Sequence, residues 1–114
     1  MEPMVKPLTP AVNFTPHILA EIRLLLTNQG GRKQPTPADE FGCPVRVAGD
    51  LFDTRMDLRD TGSLSLGATA RVPIRFLRPD CVRPLIQVGS EFTLWEMRMI
   101  GHGRVLQIYE SMAA

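Results

Sequence analysis

Two glycine signatures constrain the fold of this chain more than any other feature. Gly30-Gly31-Arg32 closes one alternating apolar run, and Ile100-Gly101-His102-Gly103 opens the last one. Glycine adopts backbone conformations that other residues avoid, so both signatures predict sharp turns between strands and hence a small closed β-structure. The runs themselves support this. Ile18, Ala20, Ile22, Leu24 and Leu26 fall on one side of a period-two register, with Glu21 and Arg23 on the other. Leu19 and Leu25 blur that alternation, so an amphipathic helix competes. The Asn28-Gln29-Gly30-Gly31 turn and the strand-like remainder decide for a long strand.

Further runs follow the same period. Phe41, Cys43, Val45 and Val47 share a face, and Gly49-Asp50 turns the chain. Phe52, Thr54, Met56 and Leu58 then oppose Asp53, Arg55, Asp57 and Arg59. Asp60-Thr61-Gly62 and Leu66-Gly67-Ala68 punctuate a connection before Ala70, Val72, Ile74 and Phe76. Pro73 cannot donate to a ladder and is expected at a bulge or an unpaired outer position. Arg78-Pro79 stops that strand, and residues 80–89 read as a long connection. Residues 91–96 and 104–110 complete six strands, joined by a turn over residues 97–103. Many short strands with regular turn signals predict an all-β sandwich or barrel.

One such domain accounts for residues 17–114. Residues 1–16 carry Pro3, Pro7, Pro10 and Pro16 and read as an extended, proline-rich N-terminal arm. Thirteen basic and twelve acidic residues give a net charge of +1. That balance excludes a strongly basic body coating nucleic acid, though not a local basic patch. No run approaches the ~18 apolar residues of a membrane span, and no leader pattern stands at the start, so a cytoplasmic location is expected.

No catalytic constellation stands out. Phosphate-loop, nucleophile-elbow and zinc-helix motifs are absent from the sequence. His17 and His102 stand far apart and read as surface or turn residues. Cys43 and Cys81 are too few for a metal site and read as small semi-buried side chains, a disulfide or reactive thiol being the alternative. The alternating Asp53, Arg55, Asp57 and Arg59 neutralise one another across a solvated strand face. No metal or cofactor is therefore expected. Arg32 and Lys33 follow a double glycine, Arg78 precedes a proline at a strand end, and Arg98 sits in a turn. On one shared rim they would face phosphates; scattered, they are solvated charges. Trp95, Met97 and Met99 suit a protein-binding surface, because aromatic and methionine side chains are enriched in interface cores. Partial burial of Trp95 is the alternative.

The order of these landmarks resembles the C-terminal β-barrel, or third domain, of bacterial translation elongation factor Tu. The resemblance runs from Ala20-Glu21-Ile22 through Gly30-Gly31-Arg32, residues 41–47, Leu66-Gly67-Ala68 and Phe76-Leu77-Arg78-Pro79. It continues through residues 89–92 to Glu96, Arg98-Met99-Ile100 and Gly101-His102-Gly103. It implies a six-stranded antiparallel barrel of Greek-key type. In that family the domain follows a GTPase domain and a second barrel, and helps hold the T stem of aminoacyl-tRNA. The resemblance places Arg32, Lys33, Arg78 and Glu96 at tRNA-facing positions, and Arg98 beside them. This chain departs from the family at Gly42-Cys43-Pro44, where Arg-Pro-Gln is usual, and at Trp95-Glu96-Met97-Arg98, where Arg-Glu-Gly-Gly-Arg is usual. Bulky Trp95 and Met97 obstruct a close backbone approach to RNA. The expected function is thus that of a non-catalytic module binding a macromolecular partner, a protein in preference to tRNA. An RNA-binding module on the basic rim is the first alternative, and a small enzyme or ligand carrier the second.

Overall fold

The computed structural model describes residues 14–112. Of the expected N-terminal arm, residues 1–13 lie outside them. The described chain is all-β apart from short helical turns. Its strands are β1 (Ile18–Leu24), β2 (Glu40–Gly42), β3 (Val45–Val47), β4 (Asp50–Phe52), β5 (Thr54–Asp57), β6 (Thr69–Phe76), β7 (Glu91–Trp95) and β8 (Met99–Ile108). They form one antiparallel sheet in the order β2-β5-β6-β1-β8-β7-β3-β4, curled into a half-barrel. Its concave side is apolar: Ile18, Ala20, Ile22 and Leu24 of β1 meet Val72, Ile74 and Phe76 of β6 and Leu94 of β7, all buried. Each such side chain contributes roughly 1.5–3 kcal/mol by leaving water.

This corrects the expected six-stranded closed barrel. Two of the expected strands are each divided in two. The strand expected over residues 41–47 breaks at Cys43-Pro44, where proline lacks the N–H a ladder needs, and the one expected from Phe52 to Leu58 breaks at Asp53, its first part beginning already at Asp50. Their register nevertheless runs through both breaks, from Glu40↔Asp57 and Gly42↔Arg55 to Val45↔Phe52 and Val47↔Asp50. Ala48 and Gly49 close this hairpin with positive φ (50° and 90°), as a two-residue turn with the right-handed strand twist requires. The two edge strands of the sheet, β2 and β4, therefore belong to a single hairpin.

Pro73 stands opposite Leu19 of β1 and has no partner on its β5 side, which is where its missing N–H is tolerated. The carbonyl of its neighbour Ile74 accepts the His17 N–H at 2.8 Å, so the polar groups of Ile74 face β1 and those of Pro73 face away. On that side β5 pairs no further than Met56↔Ile74. No ladder bond is lost.

Three further expectations are corrected. The second glycine signature is not a turn: β8 begins at Met99 and runs straight through Gly101 and Gly103. A Cβ at Gly103 would stand 2.3 Å from the Phe92 ring and 2.8 Å from Ile22 Cδ1, so glycine is required there by close packing. The connection over residues 80–89 is partly helical, with α1 (Pro79–Val82) started by Pro79 at its first position and followed by a 3-10 turn, Arg83–Leu85. Finally, His17 is buried and Cys81 is exposed, where sequence placed the first at the surface and the second half inside.

The register sorts the loops to two ends. Arg23↔Thr69 and Leu24↔Gly101 mark the end where β1 finishes. Ile18↔Ile74 and Ile18↔Ile108 mark the end where it starts, and there Val82 of α1, Ile86 just after the 3-10 turn, and Met112 of a last 3-10 turn (Glu110–Met112) complete the core.

Candidate functional site

Three segments meet at the end where β1 finishes. The first is the Gly30-Gly31-Arg32 loop. It folds on itself: Gly30 N–H donates to the Thr27 carbonyl and Gly31 N–H to that of Leu26, both at 3.0 Å. Gly30 has φ 95°, and a Cβ on Gly31 would lie 2.4 Å from the Leu25 carbonyl oxygen. This signature is thus a tight turn, as its sequence predicted. It delivers Arg32 to the second segment, β2, with the guanidinium 5.2 Å from the Phe41 ring centroid. The third segment is the β7–β8 turn. Arg32 Nη1 pairs with Glu96 Oε2 at 2.5 Å, while Arg32 Nε donates to the Gln34 carbonyl at 3.0 Å. One arginine ties loop, strand and turn together.

The β7–β8 turn consists of Glu96, Met97 and Arg98 between the paired residues Trp95 and Met99. Glu96 N–H donates to the Arg98 carbonyl at 2.8 Å, leaving Met97 at the tip with φ 65°. A methionine in the left-handed region costs about 1 kcal/mol relative to ordinary backbone. Its side chain is fully exposed, at 106% of the reference area. Behind it, Trp95 is half-buried. Its Nε1–H donates to Thr93 Oγ1 at 2.8 Å, and the Arg46 guanidinium lies 4.7 Å from the ring centroid. Below the turn, Cys43 is buried with its thiol directed at the carbonyls of Pro44 (3.4 Å) and Trp95 (3.6 Å). Burial pushes its pKa up to about 12, against the smaller downward pull of the Trp95 carbonyl contact. That thiol is inert at neutral pH.

Arg32, Glu96, Arg98, Trp95, Met97 and Met99 are thus brought to one end, with Lys33 exposed beside Arg32. Arg78 is not. It follows Phe76, whose N–H donates to His17 Nδ1 at 2.9 Å, and so stands at the opposite end of the sheet. The basic residues do not share one rim, and Arg32 is already engaged by Glu96. Arg46 is the member of the site that sequence reasoning passed over. Its alternation with Val45 and Val47 marks it as outward-facing, but its contact with Trp95 depends on β3 pairing with β7. The charged strand face is only partly as expected: Asp57 pairs with Arg59 at 2.8 Å, which holds its carboxyl below the usual range, while Arg55 turns to Glu40 at 3.4 Å.

Among the described residues no group of His, Cys, Asp and Glu side chains is arranged to hold a metal ion. Nor is any helix of the described chain long and apolar enough to cross a membrane. No family model matches the sequence, and no curated protein is significantly similar to it.

Proposed function

We propose that this chain is a non-catalytic binding module of the elongation factor Tu third-domain type, and that it engages a protein partner through the β7–β8 tip. The observation that carries this reading is Met97. A side chain of that size gains nothing for the fold where it stands, and its backbone conformation is one that glycine would adopt at lower cost. The tip is nevertheless braced from behind by the Arg32–Glu96 pair and by Trp95 under Arg46. A braced apolar side chain flanked by exposed Arg98 and Lys33 suits an apolar cleft with carboxylates at its rim. Bracing there lowers the ordering cost of association.

The test places a photo-crosslinking residue at position 97 and, as a control, at exposed Val88 near the other end. Position 97 should capture a discrete protein that position 88 does not. Met97→Gly, which keeps the turn and leaves stability within about 0.5 kcal/mol, should abolish binding of that protein to the otherwise unaltered chain. Crosslinks to RNA in place of protein, or undiminished binding by Met97→Gly, would overturn the reading.

A further inference from the structure

The convex face of the sheet carries two neighbouring cross-strand rows of different character. In one, Arg71 of β6 stands opposite Glu21 of β1, Glu21 opposite Arg104 of β8, and Arg104 opposite Glu91 of β7. Signs alternate along it, as cross-strand neighbours favour. Two residues along, the second row reads Arg23 of β1, His102 of β8, Thr93 of β7 and Arg46 of β3. Here there is no carboxylate. Arginine has only donors, and histidine offers at least one ring N–H in either protonation state. Thr93 offers a donor too: its oxygen accepts the Trp95 indole N–H, and its own proton has no acceptor among the described residues. Arg46 Nε is buried without an acceptor, though Nη1 of the same side chain reaches the Gly49 carbonyl at 3.3 Å. An unmatched buried donor is costly, and donors facing each other across a ladder gain nothing from one another.

These side chains line one groove of about 510 Å³, whose carboxylates among the described residues, Glu21 and Glu91, are those of the alternating row. With strands ~4.8 Å apart, the four donors span ~14 Å, with the long arginine side chains flanking His102 and Thr93 from either side. We propose that the Arg23–His102–Thr93–Arg46 row is a binding site for a phosphate group. Four donor side chains outnumber the two oxygens of a carboxylate and suit the oxygens of a phosphate, for which arginine supplies paired, charge-assisted hydrogen bonds. This site lies on the sheet face, takes a different ligand from the partner proposed for the tip, and shares Arg46 with the brace behind that tip.

Trp95 is the chain's only tryptophan, and it lies under Arg46, so it reports on the groove directly. Titration of the full chain with inorganic phosphate should produce a saturable change in tryptophan emission and in the indole N–H resonance, in the millimolar range. Acetate and chloride at equal ionic strength should not. O-phosphoserine binding more tightly than inorganic phosphate identifies a phosphomonoester as the ligand, and the reverse order identifies free phosphate. Arg23→Gln, at an exposed position remote from the tryptophan contact, should weaken binding about tenfold with an unchanged melting temperature. Arg46→Gln, followed through backbone resonances of β7 and β8, should weaken it at least as much. An acetate response equal to that of phosphate would overturn the proposal, as would wild-type affinity in both variants.

Discussion

The two ends of the sheet use the same residue types for opposite purposes. Where β1 starts, Met112 is 3% exposed and packs with Val82 and Ile86 into the core; where β1 finishes, Met97 is fully exposed on a strained turn. His17 accepts a buried backbone N–H at the first end, whereas His102 lies exposed on the sheet's convex face. The cysteines are arranged the other way, with Cys81 exposed in α1 at the helical end and Cys43 buried beneath the tip. Side chains that close the helical end contribute to stability. Those at the loop end hold a projecting residue in place, and what they brace has little bearing on whether the chain folds.

Thiol labelling tests that contrast most sharply. Cys81 should react with a disulfide reagent in the native state, while Cys43 should lag by orders of magnitude and become reactive only on unfolding. Native protein that exposes two fast thiols would break the distinction between the ends. Next comes the methionine pair. Met112→Ala should destabilise by about 2 kcal/mol or more, lowering Tm by roughly 8 °C, and Met97→Ala should stay within about 0.5 kcal/mol. Equal shifts in calorimetry would show that both ends serve the core.

The pH response of the helical end is a smaller effect. Burial, helped by the charge of Arg75, holds the His17 pKa below its ordinary 6.5. Above that value both folded and unfolded chains carry neutral His17, and its contribution is complete. As pH falls below 6.5 the unfolded chain takes up the proton first, so stability declines until the native form is protonated in turn. His17→Asn keeps an acceptor for the Phe76 N–H without titrating, and should flatten that part of the denaturation midpoint's pH profile. The smallest effect belongs to the brace. Arg32→Ala should cost about 1 kcal/mol, since its pair with Glu96 is partly solvated, and a double-mutant cycle with Glu96→Gln should return a coupling of about 0.5 kcal/mol.

Much of the sheet was legible because each inward face repeats at period two. Thr54, Met56 and Leu58 point in together as their spacing implies, and β1 is a strand despite Leu19 and Leu25. Glycine was legible only as a missing side chain. At Gly30 the absence serves a left-handed turn and at Gly103 it admits the Phe92 ring, and nothing local in the sequence separates the two causes. Four residues of α1 are too few to show helical periodicity, so Pro79 read as the end of a strand and not as the start of a helix. The candidate site was legible one segment at a time. That Arg32 meets Glu96, that Arg46 meets Trp95, and that Arg78 lies at the far end all follow from strand order. Strand order is settled by packing among distant segments and leaves no local mark.

The hairpin that supplies both β2 and β4 has a consequence for how this chain avoids self-association. Each sheet edge is a natural template for another chain, and here both are ended by strands of only three residues. Because they share one turn at Ala48 and Gly49, the two edges are protected or exposed as a unit. If that hairpin detaches while the rest of the sheet holds, β6 loses β5 on one side and β7 loses β3 on the other, baring an edge on each of those strands at once. Resistance to aggregation is thereby concentrated in residues 40–57, the same hairpin that packs against the base of the tip through Phe41, Cys43 and Arg46, and the first oligomers formed under mild destabilisation should grow from both edges of the same molecule.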